Sequence, residues 1–442
     1  MKTLGSFLFA IVLPFAGVVP VNAARPLVTC TVLPDREVLP ADASVKTVIK
    51  VLLDVPETPR EAERPPVNVA LVLDRSGSMS GNKIVQAREA LAQALRRLTP
   101  RDIVSVVIFD HEVETLLPAQ PARYTEEIEA RIHGIQPRGM TAIFGAVSQG
   151  AAEIRKNMEG AYIHRIILLS DGIANVGPSS PGDLGRLGAA LMKEGISVTT
   201  IGMGLGYNEA LMAQLARQSD GNHYFVESEH DLPRILAAEL GDLLSVVARR
   251  VVVEVECPPG VQPLRIIGRD GEIRGQRAEI QMNQLYGGQA KYALLEVNVP
   301  PTQADRTLEL AVARARYENA LTSRLEESEA RGAARFSADE ETVRRSANPD
   351  VQREVTFNVM AEVREEALDL HQAGRQDEAV RRLRAARDDL TTRNVAFGFD
   401  DLAAEASVLD ADAETFERPS LPTDAGKAIR AESHRVRTQQ RQ

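Results

Sequence analysis

The chain has no tryptophan, only 4% aromatic residues and just two cysteines in 442 residues. So few flat rings speak against a platform that stacks sugars or bases. Two cysteines are too sparse for a cysteine-based metal site. An excess of positive charge is also missing. The formal net charge is -10, which argues against a general nucleic-acid binder. No Gly-x-x-x-x-Gly-Lys-Ser/Thr phosphate loop occurs, so a self-contained ATPase motor is not supported. His111-Glu112 lacks the second histidine of a zinc-protease helix and reads as a solvated loop. Gly202-Met203-Gly204-Leu205-Gly206 reads as a flexible turn and not as a dinucleotide site. Past residue 23, no run is apolar enough to span a bilayer.

What is present is the make-up of a globular protein, 44% hydrophobic and 26% charged. The length calls for two or three domains. At the N-terminus Lys2 precedes a short apolar stretch, Leu4 to Val19, broken by Pro14, and then Val21-Asn22-Ala23. Residues 1–23 are therefore expected to be a secretory signal peptide. The chain would then be exported, to the periplasm or beyond.

From Val67 to about Val247, apolar strand-like runs alternate with helical patterns. The strand runs are Val67–Leu73, Ile103–Phe109, Ile163–Leu169, Ser197–Ile201 and His223–Val226. Ile84, Ala87, Ala90, Leu91, Ala94, Leu95 and Leu98 fall at helical spacing, and Pro100 stops that helix. Alternation of this kind predicts a doubly wound, mainly parallel α/β sheet over residues 66–247. Residues 24–65 and 248–336 instead read as short strands with Pro/Gly turns. They are expected to form one antiparallel β-sandwich into which the α/β unit is inserted. Each flank holds one cysteine on an apolar strand face, Cys30 and Cys257. A disulfide between them is the expectation, with two separate buried thiols as the alternative. Closing so long a loop would add about 4 kcal/mol in the loop-entropy model. Residues 337–410 read as a helical hairpin turning at Ala373-Gly374-Arg375, and the polar residues 411–442 as a disordered tail.

The chemistry concentrates in Asp74-Arg75-Ser76-Gly77-Ser78, directly after the run Val67–Leu73. A buried strand there delivers a carboxylate and two hydroxyls to one tight loop. In open α/β folds, such loops at the C-terminal edge of the sheet carry the sites. Thr141 starts a helical pattern, and Asp171 follows the buried run ending Leu168-Leu169-Ser170. Three loops can thus converge above the sheet with only oxygen ligands, the donors a hard divalent cation takes.

Asp74-x-Ser76-x-Ser78, then Thr141, then Asp171, in that order, resembles the metal-ion-dependent adhesion site of von Willebrand factor A domains. The resemblance covers roughly Pro66 to Val247 and implies a Rossmann-like fold with the metal at the sheet edge. It implies Mg²⁺ (or Ca²⁺ or Mn²⁺) held by Asp74, Ser76, Ser78, Thr141 and Asp171. It also implies a protein partner that offers an acidic side chain, and binding in place of catalysis. An A-type domain inserted in a β-sandwich is similar to inter-alpha-trypsin-inhibitor heavy chains and calcium-activated chloride-channel-like proteins. The expected function is a cation-dependent binding module of the cell envelope. The alternative is a scaffolding component that binds through the sandwich or the hairpin independently of metal.

Overall fold

A computed structural model describes residues 26–57, 64–397 and 400–440. The expected signal peptide lies outside the described residues. In chain order the N-terminal flank supplies β1 (Thr29–Pro34), β2 (Val38–Pro40) and β3 (Val45–Asp54). The α/β unit follows, with β4 (Val67–Asp74), α1 (Asn82–Arg97), β5 (Ile103–Phe109), β6 (Val113–Pro121), α2 (Glu126–His133) and α3 (Ile143–Arg155). It continues through β7 (Ile163–Ser170), α4 (Pro181–Lys193), β8 (Ile196–Met203), α5 (Glu209–Gln218), β9 (His223–Val226) and α6 (Leu232–Leu243). The second flank holds β10 (Val246–Glu256), β11 (Gln262–Ile267), β12 (Glu272–Arg274), β13 (Arg277–Tyr286), β14 (Lys291–Val299), β15 (Thr307–Asn319) and β16 (Leu325–Ser337). Helices α7 (Glu340–Arg345), α8 (Pro349–Gln372), α9 (Gln376–Phe397), α10 (Asp400–Phe416) and α11 (Thr423–Thr438) close the chain.

The central sheet has the order β6-β5-β4-β7-β8-β9, parallel except for β6. Every residue of β4, β5, β7 and β8 is buried, as expected for strands covered on both faces. Period two sorts β4 between two cores. Val67, Val69, Leu71 and Leu73 pack toward α1 and α6, whereas Ala70 and Val72 pack toward α3, α4 and α5.

The flanks meet in two sheets, β1-β3-β14-β11 and β12-β13-β10-β15-β16-β2. Each mixes strands from before and after the α/β unit, and one shared core lies between them. Two details differ from the sequence expectation. The pair β16–β2 is parallel. The sandwich strand β10 already begins at Val246, inside the span 66–247 expected for the α/β unit.

The disulfide expectation is corrected, since Cys30 and Cys257 are both free and buried. Cys30 N donates to Ser328 Oγ on β16. Ser328 is level with Ala315 on β15, and Ala315 with Val253 on β10. Cys257 lies two strands across from that point and four residues further along, on the order of 15 Å away. A disulfide needs Cα atoms within about 7 Å. Burial pushes both thiols up to about 11, so they stay protonated and unreactive at neutral pH.

The C-terminal expectation is corrected as well. The hairpin α8–α9 forms, with Gly374 at φ +75 in its turn, but a third helix, α10, runs on past residue 410 and α11 follows it where a disordered tail was expected. α10 joins the hairpin core through Leu402, Leu409, Ala413 and Phe416. α11 runs back over the α/β unit. Its Lys427 donates to Tyr207 O and, at 2.9 Å, to Glu209, and His434 Nε2 donates to Gly221 O at 3.0 Å. Its buried Lys427, Arg430, His434, Arg437 and Thr438 are charged or polar but hydrogen-bonded, which is why composition alone marks the segment as solvated. Among the described residues no helix is long and apolar enough to cross a membrane.

Candidate metal centre at the sheet edge

β4 ends on Asp74, whose side chain is fully buried. The chain turns at once, because Ser76 N donates to Asp74 Oδ1 at 2.7 Å, the local bond that makes Asp a turn residue. Arg75 N donates to Phe109 O and Gly77 N to Gly139 O, which pins this loop to β5 and to the loop before α3. That second loop delivers Thr141, 3% exposed, with its N–H donating to Asn175 Oδ1 at 2.8 Å. β7 delivers Ser170 and then Asp171, 1% exposed.

The five residues singled out in the sequence converge. Ser76 Oγ lies 3.0 Å from Ser78 Oγ, and Ser78 Oγ donates to Asp171 Oδ1 at 2.7 Å. Gly172 fixes the rest. A Cβ there would lie 2.6 Å from Thr141 Oγ1 and 3.3 Å from Asp74 Oδ2, so only glycine lets the threonine hydroxyl and the aspartate close on each other. Ser76, Ser78, Thr141 and Asp171 line a cleft of about 330 Å³, with Asp74 beneath it.

Electrostatics show what the cluster asks for. Burial pushes the Asp74 carboxyl up to about 6. Hydrogen bonds from Ser170 and Ser76 oppose the shift and the neighbouring Asp171 adds to it. Two carboxylates are thus held together in low dielectric, and the cation among them is Lys83 of α1, paired with Asp171 Oδ2. A divalent ion would supply the missing positive charge. Carboxylates and hydroxyls are the hard oxygen donors that Mg²⁺, Ca²⁺ and Mn²⁺ prefer, so the residues present fit such an ion.

Sequence reasoning missed Lys83, Ser170 and Asn175 as parts of this site. Ser170 directly precedes Asp171 and was open to inspection. Lys83 carries no local signal, because its partner is 88 residues away in sequence. Gly139 sits at φ +70, and a Cβ there would collide with His111 Nδ1 at 2.2 Å. Gly77 has ordinary room for a side chain, its nearest neighbour being Gly139 O at 3.6 Å. Asp110, His111 and Glu112 bring their ligand atoms within 4.8 Å of one another. The Asp110 carboxylate is already taken by Arg75 Nε and Arg138 Nε, each at 2.9 Å. That cluster braces the loops and is not a second cation site.

Residues 68–238 match the family model of the von Willebrand factor type A domain, and this segment belongs to that family. Such domains commonly mediate protein–protein interaction and often use a divalent metal at this edge. The chain is 27% identical over 227 residues to the uncharacterized protein YfbK of Escherichia coli, covering 50% of this chain and 39% of that protein. It is 30% identical over 199 residues to human inter-alpha-trypsin inhibitor heavy chain H4, covering 43% of this chain and 21% of that one. It therefore spans less than half the length of these curated relatives. The solved von Willebrand factor type A structure from Catenulispora acidiphila superimposes with a TM-score of 0.72 at 17% identity, over 92% of this chain and 96% of that one. At that identity the likeness is one of fold, and it extends to the sandwich and the C-terminal helices.

Proposed function

We propose that the chain is a divalent-cation-dependent protein-binding module of the cell envelope. Asp74, Ser76, Ser78, Thr141 and Asp171 would hold Mg²⁺, with Ca²⁺ or Mn²⁺ as substitutes, and the bound ion would take a carboxylate from a partner. The observation that carries this reading is the pair of buried carboxylates, Asp171 lining the cleft and Asp74 beneath it, drawn together with three hydroxyls. Hydroxyl ligands add no charge, so an ion held by this set keeps a strong attraction for an outside anion. The N-terminal apolar stretch supports export.

The scaffolding alternative draws less support. The hairpin it would dock through is used inside the molecule, since Val351 and Val355 of α8 pack on Val48, Ile267 and Leu294 of the sandwich. Titration calorimetry with Mg²⁺ tests the proposal. The wild-type chain should take up one ion, and Asp74→Ala should take up none. Equal affinity in the two proteins would remove the site assignment. Capture of envelope proteins with and without EDTA then separates the two functions, because scaffolding would survive the chelator.

A further inference from the structure

The cleft that gathers the acidic residues has an apolar rim. Among the described residues seven large hydrophobic side chains are exposed; two of them line this cleft, and a third is the chain neighbour of a lining residue. Met140, 52% exposed, and Ile173, 60% exposed, both line the cleft. Leu205, 52% exposed, precedes Gly206, which also lines it and approaches Asp171 O. They come from three different loops, those before α3, after β7 and after β8. The rest of the rim is glycine and Asn175. Large apolar side chains held out in water around a charged centre are the composition of an interface in which one polar contact is sealed by an apolar ring.

The charge at the centre sets the sign of the partner. Lys83 already pairs with Asp171, so a divalent ion beside Asp74 and Asp171 leaves the floor of the cleft net positive. We infer that the partner presents a single carboxylate from an apolar stretch, an acidic residue flanked by large aliphatic side chains that cover Met140, Ile173 and Leu205. This rests on the cation-dependent reading above and adds to it the chemistry of the flanking positions. An acidic side chain in a polar or highly charged loop would satisfy the centre and leave the rim wet. The apolar flanks also raise selectivity, because excluding water strengthens the central ionic contact.

The test uses the full chain and immobilised seven-residue peptides with one Asp between two Leu, one Asp between two Ser, or Asn between two Leu. Mn²⁺ titration by calorimetry runs beside it. Retention of the Leu-flanked Asp peptide at least tenfold above the other two is expected in Mn²⁺. It should fall to the level of the Ser-flanked peptide in the combined variant Met140→Ser, Ile173→Ser, Leu205→Ser, whose Mn²⁺ affinity stays that of wild type. Equal retention of the two Asp peptides overturns the inference. So does indifference to the rim variant, and so does failure to retain any peptide while Mn²⁺ still binds. A wild-type chain that takes up no Mn²⁺ overturns the cation reading itself, and this inference with it.

Discussion

Strand β7 carries a cluster of buried charge at each end, and the two are built to opposite rules. Near its start, Arg165 is wholly buried against Glu239 of α6. The guanidinium also donates to Thr199 Oγ1, to Gln284 and, at 2.8 Å, to Tyr286 OH. Glu239 in turn accepts from Thr199, Asn222 and Tyr224. Just past the end of β7, about 20 Å away at six residues of strand rise, Asp171 and Asp74 lie together with one ammonium, that of Lys83, paired to Asp171. The first cluster is supplied from within the chain and joins the α/β unit to the sandwich through β13. The second has more negative charge than the chain itself answers. A buried network with its partners in place is a joint, and one short of a cation is a site.

The largest expected effect breaks the joint. Arg165→Met leaves Glu239 buried without its cation and should cost about 3–5 kcal/mol in denaturant unfolding. A loss below about 1 kcal/mol would show that water or rearrangement relieves Glu239, and the contrast between the two clusters would weaken.

A smaller effect tests the strap that α11 lays across the edge of the sheet. Burial holds His434 down to about 4 and His223 well below its ordinary value. The two rings meet edge to face at 5.9 Å, with Arg437, Arg430, Lys427 and Arg217 among their charged neighbours and Asp220 opposing them. Both folded values lie below about 6.5, so the unfolded chain takes up protons first as pH falls. Their contribution is complete above about pH 6.5 and falls below it; the His434 share, roughly 3 kcal/mol, is lost between there and about pH 4. Thermal melts should show that loss, and His434→Gln should reduce it. A melt in which the variant follows wild type across this window would dissociate the strap from the titration.

Much of the site end of this comparison was legible in the sequence. Strands buried on both faces announce themselves as apolar runs, and Asp74, Ser76, Ser78, Thr141 and Asp171 stand at their ends in an order that carries its own meaning. The joint was not legible. Arg165 sits inside a strand run, and its partners lie 34 to 121 residues away, a distance over which local pattern says nothing. The same limit hid α11, whose Lys427, Arg430, His434 and Arg437 are buried by bonds to distant groups. It also hid β6, a half-exposed edge strand carrying Pro118 and Pro121. Cys30 and Cys257 taught the converse, since a shared apolar core brings two residues into one layer without bringing them within bonding distance.

The claim that the Asp74 cluster is short of a cation is tested most directly by the stability of Asp74→Asn against wild type, in EDTA and in saturating Mg²⁺. Removing one buried negative charge should leave the variant at least as stable as wild type in EDTA. Mg²⁺ at a hundred times its dissociation constant should then stabilise wild type by about 2.7 kcal/mol and the variant hardly at all, so that the order of the two proteins reverses. A variant clearly weaker than wild type in EDTA, or a wild type whose unfolding ignores Mg²⁺, would contradict the account.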